Sequence, residues 1–158
     1  MAQLEFELEN YLFKVQKRII YAIEAVIDIA INSGVNPVQN IAIARRQGIP
    51  KRYLEQTLQT LVKNGILNGS RGPKGGYRLA KERRKIKISD IVSSVTKEKK
   101  TNEIYNSDLS KEIIEPIIAK ISKKCLLLLE EISIEEIYKS EKPKKNQDPK
   151  KKKVDFVI

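Results

Sequence analysis

The chain has 158 residues, with 31 Lys and Arg against 20 Asp and Glu, a formal net charge of +11 and a pI near 9.7. That length suits one domain with appendages, and the basic excess favours a polyanionic partner. One cysteine, Cys125, and no histidine rule out an internal disulfide, point to a reducing compartment, and leave too few ligands for a zinc or iron–sulfur site within one chain.

The absence of histidine also removes the commonest general base. No nucleophile–base pair, phosphate loop or paired-carboxylate motif stands out, so neither an enzyme nor a bound cofactor or metal is expected. No apolar run approaches the roughly 20 residues of a spanning helix, and no basic-then-apolar leader opens the chain. A cytoplasmic, membrane-free protein is the expectation. The Lys- and Ile-rich, Arg-poor usage fits an AT-rich genome, and a plastid-encoded protein of the stroma would look the same.

Residues 1–12 alternate Glu5, Glu7 and Glu9 with apolar positions and read as an N-terminal arm. Residues 13–33 are helical in pattern: Ile19, Ile20, Ile23, Val26, Ile27 and Ala30 recur on one face. Lys14, Lys17 and Arg18 crowd the start of this helix, against the preference of the helix dipole. Phosphate contact and ordinary solvation both account for them. Asn36-Pro37 reads as a cap and first helical position. It opens a short helix over 38–47 with Val38, Ile41 and Ala42 inward, closed by Gly48.

Pro50 starts the next helix only two residues later. Leu54, Leu58, Leu61 and Val62 make its apolar stripe, while Arg52, Gln56, Gln59 and Lys63 fall on a different, basic and hydrogen-bonding face. Asn64-Gly65 stops it. Ile66-Leu67 starts a strand, residues 71–76 form a Gly-rich basic loop holding Arg71 and Lys74, and Tyr77-Arg78-Leu79 returns. Two helices in a tight turn followed by such a hairpin make a winged helix-turn-helix over 13–96. A helix bearing Gln and Arg has partners on base edges in the major groove, and an Arg-bearing hairpin suits the minor groove. A plain packing unit with a solvated face is the competing reading of the helix alone.

Residues 81–87 form a basic connector, and Ser89 is placed to cap a helix carrying Ile91, Val92 and Val95. Residues 97–109 are polar and read as a loop. A long helix follows over 110–131, with Pro116 marking its start or a kink. Ile114, Ile117, Ile118, Ile121, Cys125, Leu128, Leu129 and Ile132 form one stripe. Such a helix wants cover on more than one side, so two copies are expected to pair through it as a homodimer. Ser133 is placed to cap a last helix reaching 138. From Lys139 to Lys153 there are eight lysines against Glu141 and Asp148, so residues 139–158 are expected to be a disordered basic tail.

The segments Tyr21-Ala22 with Ala25 and 27–30, Arg46-Gln47-Gly48-Ile49 with Tyr53-Leu54-Glu55-Gln56, and the wing over 70–79 resemble the Rrf-type winged-helix transcription regulators, the IscR/NsrR/CymR family. The resemblance covers about 17–137. It implies a mainly α fold with a small β-hairpin wing and a long C-terminal dimerisation helix. It also implies a dimeric regulator reading a palindromic operator in double-stranded DNA, as a repressor. The positions of Arg52, Tyr53, Glu55 and Gln56 would approach the major groove and Arg71 the minor groove. Arg52 stands where other members often have Ser. Cluster-binding members carry three Cys in the loop before the long helix; residues 96–108 have none, which implies a cluster-free member. Its signal would then come from a small molecule, a partner protein or oxidation of Cys125. A protein-interaction or RNA-binding winged helix without DNA sequence readout is the alternative.

Overall fold

The computed structural model describes residues 15–97 and 106–141. The arm over 1–12, most of the loop over 97–109 and the tail beyond 141 lie outside the described residues.

The chain order is α1 (Lys17–Asn32), α2 (Asn40–Gln47), α3 (Lys51–Lys63), β1 (Leu67–Ser70), β2 (Gly76–Leu79), α4 (Ile88–Thr96), α5 (Glu115–Glu130) and α6 (Ile134–Glu141). A single 3-10 turn at Arg83–Lys85 precedes α4, and a π turn at Ser110–Ile114 leads into α5. The two strands pair antiparallel, from Leu67 opposite Leu79 to Ser70 opposite Gly76. The fold is therefore mainly α with a small hairpin wing.

The core gathers one face of each helix of the winged unit. Ala22, Ala25, Val26 and Ile29 of α1 meet Leu54, Leu58 and Leu61 of α3, Ile43 of α2, and Ile91 and Val95 of α4. These side chains are almost wholly removed from water, each worth about 1.5–3 kcal/mol of transfer free energy for the larger ones. Ile134 of α6 joins the same cluster. It arrives there because Ile134 N–H donates to Ile86 O and Ile88 N–H donates to Ile132 O, both at 3.0 Å. The connector and the end of α5 thus form a one-rung ladder between Lys87 and Ser133.

Helix starts differ from expectation in several places. The α1 helix begins at Lys17, after Gln16 in an extended conformation, rather than at 13. The α2 helix begins at Asn40, not Val38. Val38 exchanges two backbone hydrogen bonds with Tyr77 of the wing, at 2.9 and 2.8 Å, so the wing captures the segment that Pro37 was expected to open. The shift turns Ile43 inward and leaves Ile41 half exposed at 50%. The α4 helix begins at Ile88, and the Asp90 carboxylate accepts the Lys87 N–H at 2.9 Å. Ser89 is buried inside that helix rather than capping it. Ser133 does cap α6: its hydroxyl accepts the Glu136 N–H, and Glu136 accepts the Ser133 N–H in return, at 3.3 and 2.6 Å. Lys139, Ser140 and Glu141 continue that helix, so the expected tail begins later than residue 139.

Pro116 sits two residues after the π turn of Ser110–Ile114 in an unbroken helical run, so the expected start or kink is a π turn that leads into α5. None of the side chains of α5 is buried. Ile114, Ile117, Ile118 and Ile121 are 39–53% exposed and Leu128 is 63% exposed; Cys125 shares this open face. Leu129 departs from the expected stripe. It is half-buried and packs on the core of its own chain, because the ladder at Ser133 pulls this end of α5 against α4. Among the described residues, no helix is long and apolar enough to cross a membrane.

Candidate nucleic-acid interface

The α3 helix is held from behind. Leu54, Thr57, Leu58 and Leu61 are buried against α1, α2, α4 and β1. At 100° per residue, the opposite side carries Arg52, Gln56, Gln59 and Lys63, and all four are exposed. Gly48 makes the tight entry possible: it closes α2 at φ 66°, a conformation glycine adopts cheaply. Val62, expected in the apolar stripe, is partly exposed at 36%. It lies on the flank facing the wing, where a half-open cleft removes its cover.

Two clefts flank the α3 ridge and let it stand proud. One lies toward α1 and α4 and is lined by Arg18, Tyr53, Gln56, Thr60, Lys63 and Val95. The structure therefore brings Arg18, from the start of α1, beside the α3 face; Lys17 is exposed on the same first turn. Tyr53 is pinned edge-on against Tyr21 of α1, ring centroids 5.4 Å apart at 80°. The other cleft lies between α2, α3 and the wing. Gln39, Asn40, Ile41, Lys51, Gln59, Val62, Lys63 and Arg71 line it with Tyr77. Burial raises the Tyr77 pKa, and the charge of Glu55 raises it further, which puts Glu55 on the wing side of the ridge. Arg71 and Lys74 are exposed on the wing loop.

Thus α3, the wing loop and the start of α1 present Arg18, Arg52, Gln56, Gln59, Lys63 and Arg71 along one contiguous surface. Arg and Gln side chains of this reach match guanine and adenine edges in a major groove. Residues 39–41 and Lys51 belong to the same surface, yet no periodicity marked them. Ile41 read as core, and the turn that exposes it is set by the remote Val38–Tyr77 pairing.

A second polar cluster lies behind the ridge. Asp28, 1% exposed, accepts from Arg46 Nε and Nη2 at 2.9 and 2.6 Å and from Gln47 Nε2 at 2.7 Å. The hydrogen bonding to Asp28, aided by the Asp28 charge and opposed by burial, raises the Arg46 pKa. The cluster locks α2 onto α1. Asp28 stood in the sequence only as part of the segment 27–30 that carries the resemblance; its burial was not legible, because its partners Arg46 and Gln47 come from the next helix.

Metal donors are scarce. Cys125 is exposed on α5, the chain has no histidine, and among the described residues no three Cys, His, Asp or Glu side chains gather.

Comparison with known proteins bears on the family of the chain. A 75-residue segment is 44% identical to the HTH-type transcriptional regulator IscR of Escherichia coli O1:K1 / APEC, covering 48% of this chain and 46% of that protein. The match thus spans about half the length of the curated relatives. Among solved structures, T. potens IscR superposes with a TM-score of 0.62 at 29% identity, covering 90% of this chain and 95% of that one. CymR, the global cysteine regulator of B. subtilis, gives 0.61 at 23% identity over 82% and 98% of the two chains, a likeness of fold alone. The model of the Rrf2 family, described as an iron-dependent transcriptional regulator, matches residues 15–140. The chain belongs to the Rrf2 family of transcriptional regulators.

Proposed function

We propose that this chain is a homodimeric transcription regulator that binds double-stranded DNA at a palindromic operator, as a repressor. The observation that carries the reading is the exposed ridge of Arg52, Gln56, Gln59 and Lys63 beside the wing loop of Arg71 and Lys74. The α3 ridge enters the major groove, with Tyr53 and Glu55 on its flanks. Arg71 reaches the adjacent minor groove, and Lys17, Arg18 and Lys74 face phosphates. The dimer reading is supported by the uncovered apolar face of Ile114, Ile117, Ile118, Ile121, Cys125 and Leu128. A row of side chains this apolar and this exposed on one helix marks an interaction surface, and a two-fold pairing covers it on both copies at once. It also supplies two ridges for two half-sites, whose usual spacing is about 34 Å.

An iron–sulfur cluster does not fit the donors of this chain, because clusters are held by several thiolates and Cys125 stands alone on a helix face. The regulator is then switched by a small molecule, a partner protein or oxidation of Cys125 rather than by a bound cluster. Its place is the cytoplasm, or the stroma if a plastid genome encodes it.

Selection of bound duplexes from a random DNA pool tests the reading. An enriched palindrome is expected, and Arg71→Ala and Gln56→Ala should each weaken its binding by about 1–3 kcal/mol, roughly 5- to 150-fold. Flat enrichment overturns sequence-specific readout and leaves a protein- or RNA-docking winged helix.

A further inference from the structure

The wing touches the body of the protein at two levels. At its base, Gly76 runs so close to the segment before α2 that a Cβ there would lie 2.5 Å from Val38 O. The paired backbone bonds of Val38 and Tyr77 clamp this level. Beyond Gly76 the loop over 71–75 leaves the clamp. Within the loop, Gly75 N–H donates to Gly72 O at 2.9 Å and closes the turn that carries Pro73. The tie from the body to the loop is a side chain: Gln39 Nε2 donates to Pro73 O at 3.2 Å. Gln39 is the residue directly before α2, and it also lines the cleft between α2, α3 and the wing with Arg71.

We infer that Gln39 is a positioning residue of the wing, its amide holding Pro73 so that Arg71 is presented at a set distance from the α3 ridge. This rests on the DNA-binding reading for its consequence but not for its geometry. Gln39 is neutral and two residues away from the exposed Ile41, so it adds no charge of its own to the surface. Its effect passes through Arg71 and Lys74. When the tie is lost, the loop samples orientations in which Arg71 misses the groove, and the population aimed correctly falls. The loss is that of one ordinary intramolecular hydrogen bond, about 2- to 13-fold in an equilibrium.

The test has two arms. The first needs no DNA. Amide hydrogen exchange of the full chain should show faster exchange at Gly75 in Gln39→Ala and in the isosteric Gln39→Glu, which lacks the donor, but not in Ile41→Ala. Unchanged exchange in both Gln39 variants overturns the inference. The second arm uses the duplex enriched by the wild-type chain. Gln39→Ala should weaken binding about 2- to 13-fold and flatten the salt dependence, since each phosphate that is no longer neutralised takes about 0.9 off the log–log slope. A neutral side chain touching bases directly would leave that slope alone. In an Arg71→Ala background the Gln39→Ala loss should shrink to the part that passes through Lys74. Full, additive loss there overturns the inference and makes Gln39 a direct DNA-binding residue. Flat enrichment in the pool sinks the DNA reading instead, while the exchange arm still decides the tie.

Discussion

Arg46→Ala is the perturbation whose size the structure sets most closely. Asp28 has a fully buried carboxylate, and Arg46 supplies two of the three donors it accepts. Removing one partner of a buried ion pair usually costs about 3–5 kcal/mol, because the other charge is left uncompensated. Two features lower that here. The Arg46 side chain is 40% exposed, so water screens the pair and can enter the vacated space, and Gln47 still donates. About 2–3 kcal/mol is the expected loss. For a chain of this size that lowers Tm by roughly 4–12 °C, at about 2–4 °C per kcal/mol. Urea denaturation followed by circular dichroism is the assay, read as a fall in midpoint at constant m. Arg45→Ala, at the exposed neighbouring position, is the control and should stay within about 0.5 kcal/mol. Adding Asp28→Asn to Arg46→Ala should recover part of the loss by removing the buried charge. If Arg46→Ala costs no more than Arg45→Ala, the cluster does not hold α2 on α1.

Gly76→Ala places a Cβ against the Val38 carbonyl, and the cheapest relief opens the Val38–Tyr77 pairing of two hydrogen bonds. The expected cost is about 1–3 kcal/mol, seen as lost amide protection at both residues; retained protection would refute the close seat. Ile121→Glu puts a charge on the open face of α5. Sedimentation equilibrium should then give a monomer that keeps its helical circular dichroism, whereas an unchanged dimer would move the interface elsewhere. The Ser133 N–H, then its hydroxyl, hold the Glu136 carboxylate below its usual pKa. A depressed folded pKa gives stability that is present above the unfolded value of about 4.3 and is lost as pH falls through the folded one. The advantage of wild type over Glu136→Gln in urea melts should therefore shrink as pH is lowered from about 6 toward about 3, and a pH-independent difference would exclude this cap.

Much of the architecture was legible because its causes are local. Leu54, Leu58 and Leu61 at helical spacing force α3 to bury one side, and Arg52, Gln56, Gln59 and Lys63 must then face out. The hairpin followed from alternation and glycines, and Ser133 marked the start of α6 without reference to any other element. The departures share one origin. Val38 read as the first turn of a helix and became a strand partner of Tyr77, far along the chain, which rotated Ile41 out and Ile43 in. Leu129 read as part of an outward stripe and packs inward because Ser133 pairs with Lys87.

What the amino-acid order alone determined is which residues share a helix face and where short-range caps and turns fall, since periodicity and capping act over a few residues. Which face points where was decided only in three dimensions. The burial of Asp28 under Arg46, the approach of Gln39 to Pro73 and the inward turn of Leu129 each depend on partners well beyond one helical turn. Their free energy exists only once the chain has brought those partners together.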